Sequence, residues 1–160
     1  MPNRIDHVGI TVNNIEEALT IYTDVLGLKA TDIHMFPEQE LKIAVIPIGD
    51  SKIELLGPID VERTGEFVTK WGQGIHHICL EVDNIDDELR TLVAKGVELT
   101  HKEAQQGLSG RIAFLHPQAT KGALIELIEK TQPGSSRRGR DNFVRKNSVS
   151  RTLGGEENGG

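Results

Sequence analysis

Residues 5–19 (IDHVGITVNNIEEAL) and residues 75–89 (IHHICLEVDNIDDEL) align without a gap. The alignment pairs His7 with His77, Val12 with Val82, Asn14 with Asn84, Ile15 with Ile85 and Leu19 with Leu89. Each stretch reads as a strand running into a helix, with a histidine near the start of the strand. In the first, Val8, Ile10 and Val12 alternate with His7, Gly9 and Thr11, because strand side chains point to opposite faces in turn. The aliphatic set is expected to pack on a helix. The other set puts a histidine among small residues, which leaves room for something to approach. In the second, Ile78, Leu80 and Val82 alternate in the same way with His77, Cys79 and Glu81. Asn14 and Asn84 are placed to cap the helices, with Glu17 and Asp87 three positions on. Glycines 27 and 96 are natural stops.

The repeat extends further. KIELL (52–56) and LIELI (124–128) put Glu54 and Glu126 at matching places. Strands are also expected at 41–48, 97–100 and 111–115, with a tight turn at Gly49-Asp50. Residues 28–40 read as irregular, with a loop from Met35 to Glu40 around Pro37. A short helix is expected at 66–71 between the halves, and AQQGLSG (104–110) reads as a loop. Each half therefore reads β-α-β-β-β. The expected fold is α+β: two tandem βαβββ modules, about 4–58 and 74–130, forming a curved mixed sheet around a metal site. The domain is expected to span 1–132. Pro, Gly, Ser and Arg dominate 133–160 without apolar periodicity, which reads as a disordered tail.

Charge is divided along the same boundary. The net charge is −6, but residues 133–160 hold six basic and three acidic side chains, leaving −9 on residues 1–132. An acidic folded surface argues against nucleic-acid binding. No run approaches the ~20 apolar residues of a membrane span. The start, MPNRIDHV, lacks an apolar signal region, and a lone cysteine, Cys79, suits a reducing compartment. A cytoplasmic protein is expected. Aromatic residues make up only 4% of the chain, so Ile, Leu and Val must fill its core.

His7, Glu54, His77 and Glu126 all stand opposite the aliphatic face of their strands. A glutamate inside KIELL or LIELI is costly if it is buried and unpaired. A shared divalent cation accounts for four such residues at equivalent places. Two imidazoles and two carboxylates suit Zn, Co, Ni, Mn or Fe, with Mg less comfortable on nitrogen. The two carboxylates would cancel the charge of the cation, so the site would accept a further anionic chelator. Singly, a strand histidine is more often a hydrogen-bonded core residue and a strand glutamate more often faces water; the repeat is what favours metal. His76 reads as structural, pointing away from His77 by alternation. Cys79 reads as a small packed residue, and His34, His101 and His116 as surface or turn residues. Glu38 lies in the acidic loop before a strand, where it reads as a solvated acid able to swing over the site. GLSG offers backbone N–H groups to an anion, a common feature.

The segments IDHVGITV, IYTDVLGL, IPIGDSKIELLGP, GIHHICLEVDNID and IAFLHPQATKGALIELIE together resemble the vicinal oxygen chelate (glyoxalase-like) superfamily. Within it they are similar to the methylmalonyl-CoA epimerase family, over residues 4–130. The resemblance implies a divalent metal (Co, Mn, Zn, Ni or Mg) held by His7, Glu54, His77 and Glu126, although some relatives have glutamine where Glu54 stands. It implies an acyl-CoA substrate and a homodimer. It implies epimerisation of (2R)- and (2S)-methylmalonyl-CoA through an enolate, with Glu126 and Glu38 exchanging protons on opposite faces. An unperturbed glutamate titrates near ~4.3, so a useful base requires a raised pKa. Gln118 departs from the lysine common after the family's HP pair. Two other classes compete. A glyoxalase I-like lyase or a ring-cleaving dioxygenase is a different enzyme on the same fold, though a fourth ligand argues against the dioxygenase. A non-catalytic small-molecule-binding module would purify without metal.

Overall fold

The computed structural model describes residues 1–131. The tail expected from Pro133, and the domain limit at 132, lie outside them. Eight strands form one curved mixed sheet: β1 (Arg4–Thr11), β2 (Ile33–Phe36), β3 (Leu41–Ile48), β4 (Ser51–Pro58), β5 (Gly74–Glu81), β6 (Gln105–Gln106), β7 (Gly110–Leu115) and β8 (Ile125–Lys130). Their order is β2-β3-β4-β1-β5-β8-β7-β6. β1 runs parallel to β4, β5 runs parallel to β8, and β1 and β5 join the halves as an antiparallel pair. The modules are thus related about the β1–β5 seam. In register, Gly9 pairs with Glu54 and the equivalent Cys79 pairs with Glu126.

Two helices cover the outer face. α1 (Ile15–Thr20) and α3 (Ile85–Ala94) start where expected. The Asn14 side chain accepts from the Glu17 N–H at 3.1 Å, and Asn84 accepts from the Asp87 N–H at 3.0 Å. Ile10 and Val12 pack with Ile15, Ala44, Ile46 and Leu55, while Leu80 and Val82 pack with Ile85, Leu89, Ala113 and Leu127. The aliphatic faces read from alternation therefore do meet helices. Leu55 is fully buried. Leu55→Ala is expected to lower unfolding free energy by about 2–5 kcal/mol, read as an earlier urea midpoint at unchanged slope.

Several local expectations fail for identifiable reasons. The first helix turns into a π-helix at Ile21–Val25, where the Leu26 N–H reaches back to the Ile21 carbonyl. The Thr23 hydroxyl donates to the Leu19 carbonyl at 2.9 Å, competing for the acceptor an α-helical turn would use. Residues 35–40 are not a loop throughout. Ile33–Phe36 is an edge strand against β3, and Pro37–Gln39 is a 3-10 turn closed by Glu40 at φ 57. The strand expected at 97–100 reduces to a single bridge between Leu99 and Leu115. The edge strand forms instead inside AQQGLSG, at Gln105–Gln106. α2 (Thr64–Trp71) links the halves and packs Phe67 and Trp71 over Leu41 and Leu56 on the inner, concave face.

Candidate metal centre

The concave face brings the four repeat-placed residues together. His7, Glu54, His77 and Glu126 are all buried and line a cavity of about 700 Å³. His7 Nε2 lies 2.9 Å from His77 Nε2, and Glu126 Oε2 lies 2.9 Å from His77 Nε2 and 3.7 Å from His7 Nε2. His7, His77 and Glu126 form a group able to hold a metal ion, each offering one donor within 4.8 Å of the others. Glu54 stands slightly apart, with Oε2 3.5 Å from His7 Nε2. Glu38 is exposed on its 3-10 turn and lines the same cavity. Gln105 to Ser109 also contribute, as does His101, which reads from sequence only as a surface or turn residue.

The strand backbone explains how two histidines come so close. Ile5 pairs with Leu80 and His7 with Cys79, so Asp6 is an extra residue on β1. Gly9 pairs with His77 and Ile10 with Ile75, so His76 is an extra residue on β5. Each β-bulge falls on the residue just before a site histidine, and a bulge re-aims side chains that alternation would send apart. Asp6 consequently reaches His7, with Oδ1 2.8 Å from Nδ1. His76 reaches His77, Nδ1 to Nδ1 at 2.8 Å, beside the Trp71 ring. This corrects the reading of His76 as turned away: it lines the cavity. Both Nδ1 atoms are thus engaged from outside, which leaves each Nε2 aimed at the centre. That is the arrangement metal-ligating histidines need, and the nitrogen and carboxylate donor set fits a divalent cation of the Zn, Co, Ni or Mn kind.

The surroundings are strongly ionic on one side only. Burial works against an ionised Asp6, but hydrogen bonds from His7 and Lys130 and the nearby Lys52 outweigh it and hold the carboxyl well below its usual range. Lys130 Nζ is 2.5 Å from Asp6 Oδ2, and Lys52 Nζ is 3.1 Å from Asp6 Oδ1 and 3.0 Å from Glu54 Oε1. On the other side, burial and then repulsion from His77 push His76 down to about 4, against a smaller opposing pull from Glu126. His76 is therefore a neutral partner for His77, where Asp6 is an anionic one for His7. Burial, followed by Glu126, Asp6 and Glu54, drives the Cys79 thiol upward. It stays an unreactive small residue under the site, as its sequence position suggested.

A family model described as Glyoxalase/Bleomycin resistance protein/Dioxygenase superfamily matches residues 6–114. The chain belongs to this superfamily. Among its relatives there, an uncharacterised Bacillus subtilis protein is 36% identical over 129 residues, covering 79% of this chain and 92% of that one. The mitochondrial methylmalonyl-CoA epimerase of Mus musculus is 35% identical over 127 residues, covering 78% of this chain and 71% of that one. A solved structure of a methylmalonyl-CoA epimerase in complex with methylmalonyl-CoA and NH4+ superimposes with a TM-score of 0.72 at 30% identity, covering 81% of this chain and 96% of that one. The curved sheet is thus the superfamily fold, and the resemblance to the epimerases holds in both sequence and shape. Asp6, Lys52 and His76 escaped the sequence reading as members of the site. The one signal that offers a clue is that Asp6 and His76 occupy matching positions of the repeat.

Proposed function

We propose that the protein is a methylmalonyl-CoA epimerase that uses a divalent cation held by His7, His77, Glu126 and Glu54. The observation that carries this reading is the convergence of His7, His77 and Glu126 on the floor of a cavity that Glu38 also lines. When bound, a cation such as Co, Mn, Zn, Ni or Mg supplies Lewis acidity to the substrate oxygens flanking C2, an effect worth several kcal/mol. The rest is done by side chains. Asp6 and His76 hold the two imidazoles in place. Leu56, Trp71, Ile112 and Phe114 give the cavity apolar walls, which favour the acyl chain over water. Its volume of about 700 Å³ lies within the range of small-molecule sites.

Epimerisation requires removing the C2 proton from one face and returning one to the other. Glu126, on the floor, is one acid/base group, and Glu38, on its 3-10 turn, is the other. Pro37 before it and the left-handed Glu40 after it fix that turn. A homodimer in the cytoplasm belongs to the same reading. No helix among the described residues is long and apolar enough to cross a membrane.

The test is an assay on both epimers in deuterated water, with metal supplied or removed by a chelator. Metal-dependent interconversion is expected, with deuterium entering at C2. Chelation should abolish both, and re-addition of a divalent ion should restore them. Exchange that continues unchanged without metal refutes the reading.

A further inference from the structure

We propose that Lys52 makes the two site glutamates unequal: it neutralises Glu54, leaving Glu126 as the one uncompensated carboxylate facing the cation. This rests on the metal-centre reading above.

The repeat alone makes the two glutamates equivalent. Both are buried, and both lie in the module's last strand, in register with Gly9 or its counterpart Cys79. Their neighbours differ. Two residues before Glu54 stands Lys52; two residues before Glu126 stands Leu124. Side chains two apart on a strand share a face, so Lys52 points to the concave side with Glu54. Its side chain is only 17% exposed, and its ammonium sits 3.0 Å from Glu54 Oε1 and 3.1 Å from Asp6 Oδ1. A lysine this far from water needs compensating charge. Asp6 alone would not need it, because Lys130 already meets Asp6 at 2.5 Å. Asp6, Glu54 and Glu81 against Lys52, Lys130 and Arg4 form a charge-balanced cluster.

Two consequences follow for the site. Glu54 Oε1 is taken by Lys52, so only Oε2 is turned toward His7; Glu54 acts as a one-oxygen, charge-neutral donor. Among the described residues no salt bridge joins Glu126 to a lysine or arginine; its polar partners include His77, His7 and the Cys79 thiol. The expectation that two carboxylates cancel the charge of the cation is therefore revised. One does so, and the centre keeps a net positive charge to hold an anionic substrate oxygen. Lys52 is a positioning residue, acting through Glu54.

The experiment compares Lys52→Met, Glu54→Gln and the double variant with wild type. It reads Zn²⁺ affinity by competition with a chromogenic chelator, and metal-free thermal stability. Lys52→Met should tighten Zn²⁺ binding about tenfold and Glu54→Gln should weaken it about tenfold, as expected when one nearby unit charge is exposed or removed. The double variant should return to within about threefold of wild type. In the metal-free protein Lys52→Met should be less stable than the double variant, because it leaves a buried carboxylate without its cation. Lys52→Arg should behave like wild type. If Lys52→Met does not fold, Lys52→Gln carries the same comparison. Unchanged or weaker Zn²⁺ binding in the Lys52 variant overturns the proposal, as does a wild type that binds no divalent ion. A wild type that binds Zn²⁺ but does not epimerise methylmalonyl-CoA defeats the epimerase reading alone. The affinities then still decide the role of Lys52.

Discussion

Glu126→Gln is expected to lower epimerisation by roughly a thousandfold, the scale of a lost general acid/base group, while the fold survives. The change keeps the volume of a buried side chain and so opens no cavity. It removes the negative charge that lies 2.9 Å from His77 Nε2 and the basic oxygen that would take the proton. Metal affinity should fall as well, which alone would not identify a base. Proton washout separates the two effects. With Glu126 gone, Glu38 can still exchange the C2 proton of one epimer with solvent, without inverting it. Glu38→Gln should show the mirror result: exchange of the opposite epimer and no inversion. Assayed in deuterated water with saturating metal, the two variants should therefore label different epimers. If both label the same epimer, or if Glu126→Gln epimerises within tenfold of wild type, the assignment fails.

Gly9→Ala should break the site without breaking the protein. A methyl group at Gly9 would stand 2.2 Å from His77 Cε1, 2.5 Å from Nδ1 and 2.8 Å from Nε2. The obstacle is a rigid ring, pinned by His76 at 2.8 Å, so the ring must leave its place. The position does not have a positive φ, and β1 stays paired on both sides, so the global cost should be no more than about 1–3 kcal/mol, as for an overpacked core. Metal affinity should fall about a hundredfold or more, beyond the 10–100-fold typical of losing an outer partner. Chelator competition reads the first quantity and urea unfolding the second. Metal binding within threefold of wild type would show that His77 is not a ligand, or that its ring sits elsewhere. The room that the sequence reserves beside His7 is thus filled by the other histidine.

Much of this molecule is legible in one dimension. The gapless match of 5–19 with 75–89, the two asparagine caps and the KIELL and LIELI strands locate both modules and four residues of the candidate site. These features depend on contacts within a few residues: alternation on a strand, or a side chain meeting the N–H three positions on. The misreadings share an opposite cause. Edge strands β2 and β6 are four and two residues long, too short for a pattern, and exist because a neighbour pairs with them. Alternation sends His76 to the wrong face because it assumes an unbroken ladder. Lys52 looks like the polar start of a strand until Asp6, from another strand, is seen beside it.

In one dimension the chain holds two equivalent halves, each offering one histidine and one glutamate from strand faces. Their electrostatic inequality exists only once the chain is folded, and it originates in the β1–β5 seam. Its two bulges turn Asp6 toward His7 and His76 toward His77. A bulge is a mismatch in count between two paired strands, so neither strand carries it alone. An ionic cluster buttresses one histidine and a neutral imidazole buttresses the other, because the residues that duplication left different, Asp6 against His76 and Lys52 against Leu124, meet only when strands distant in sequence are laid side by side.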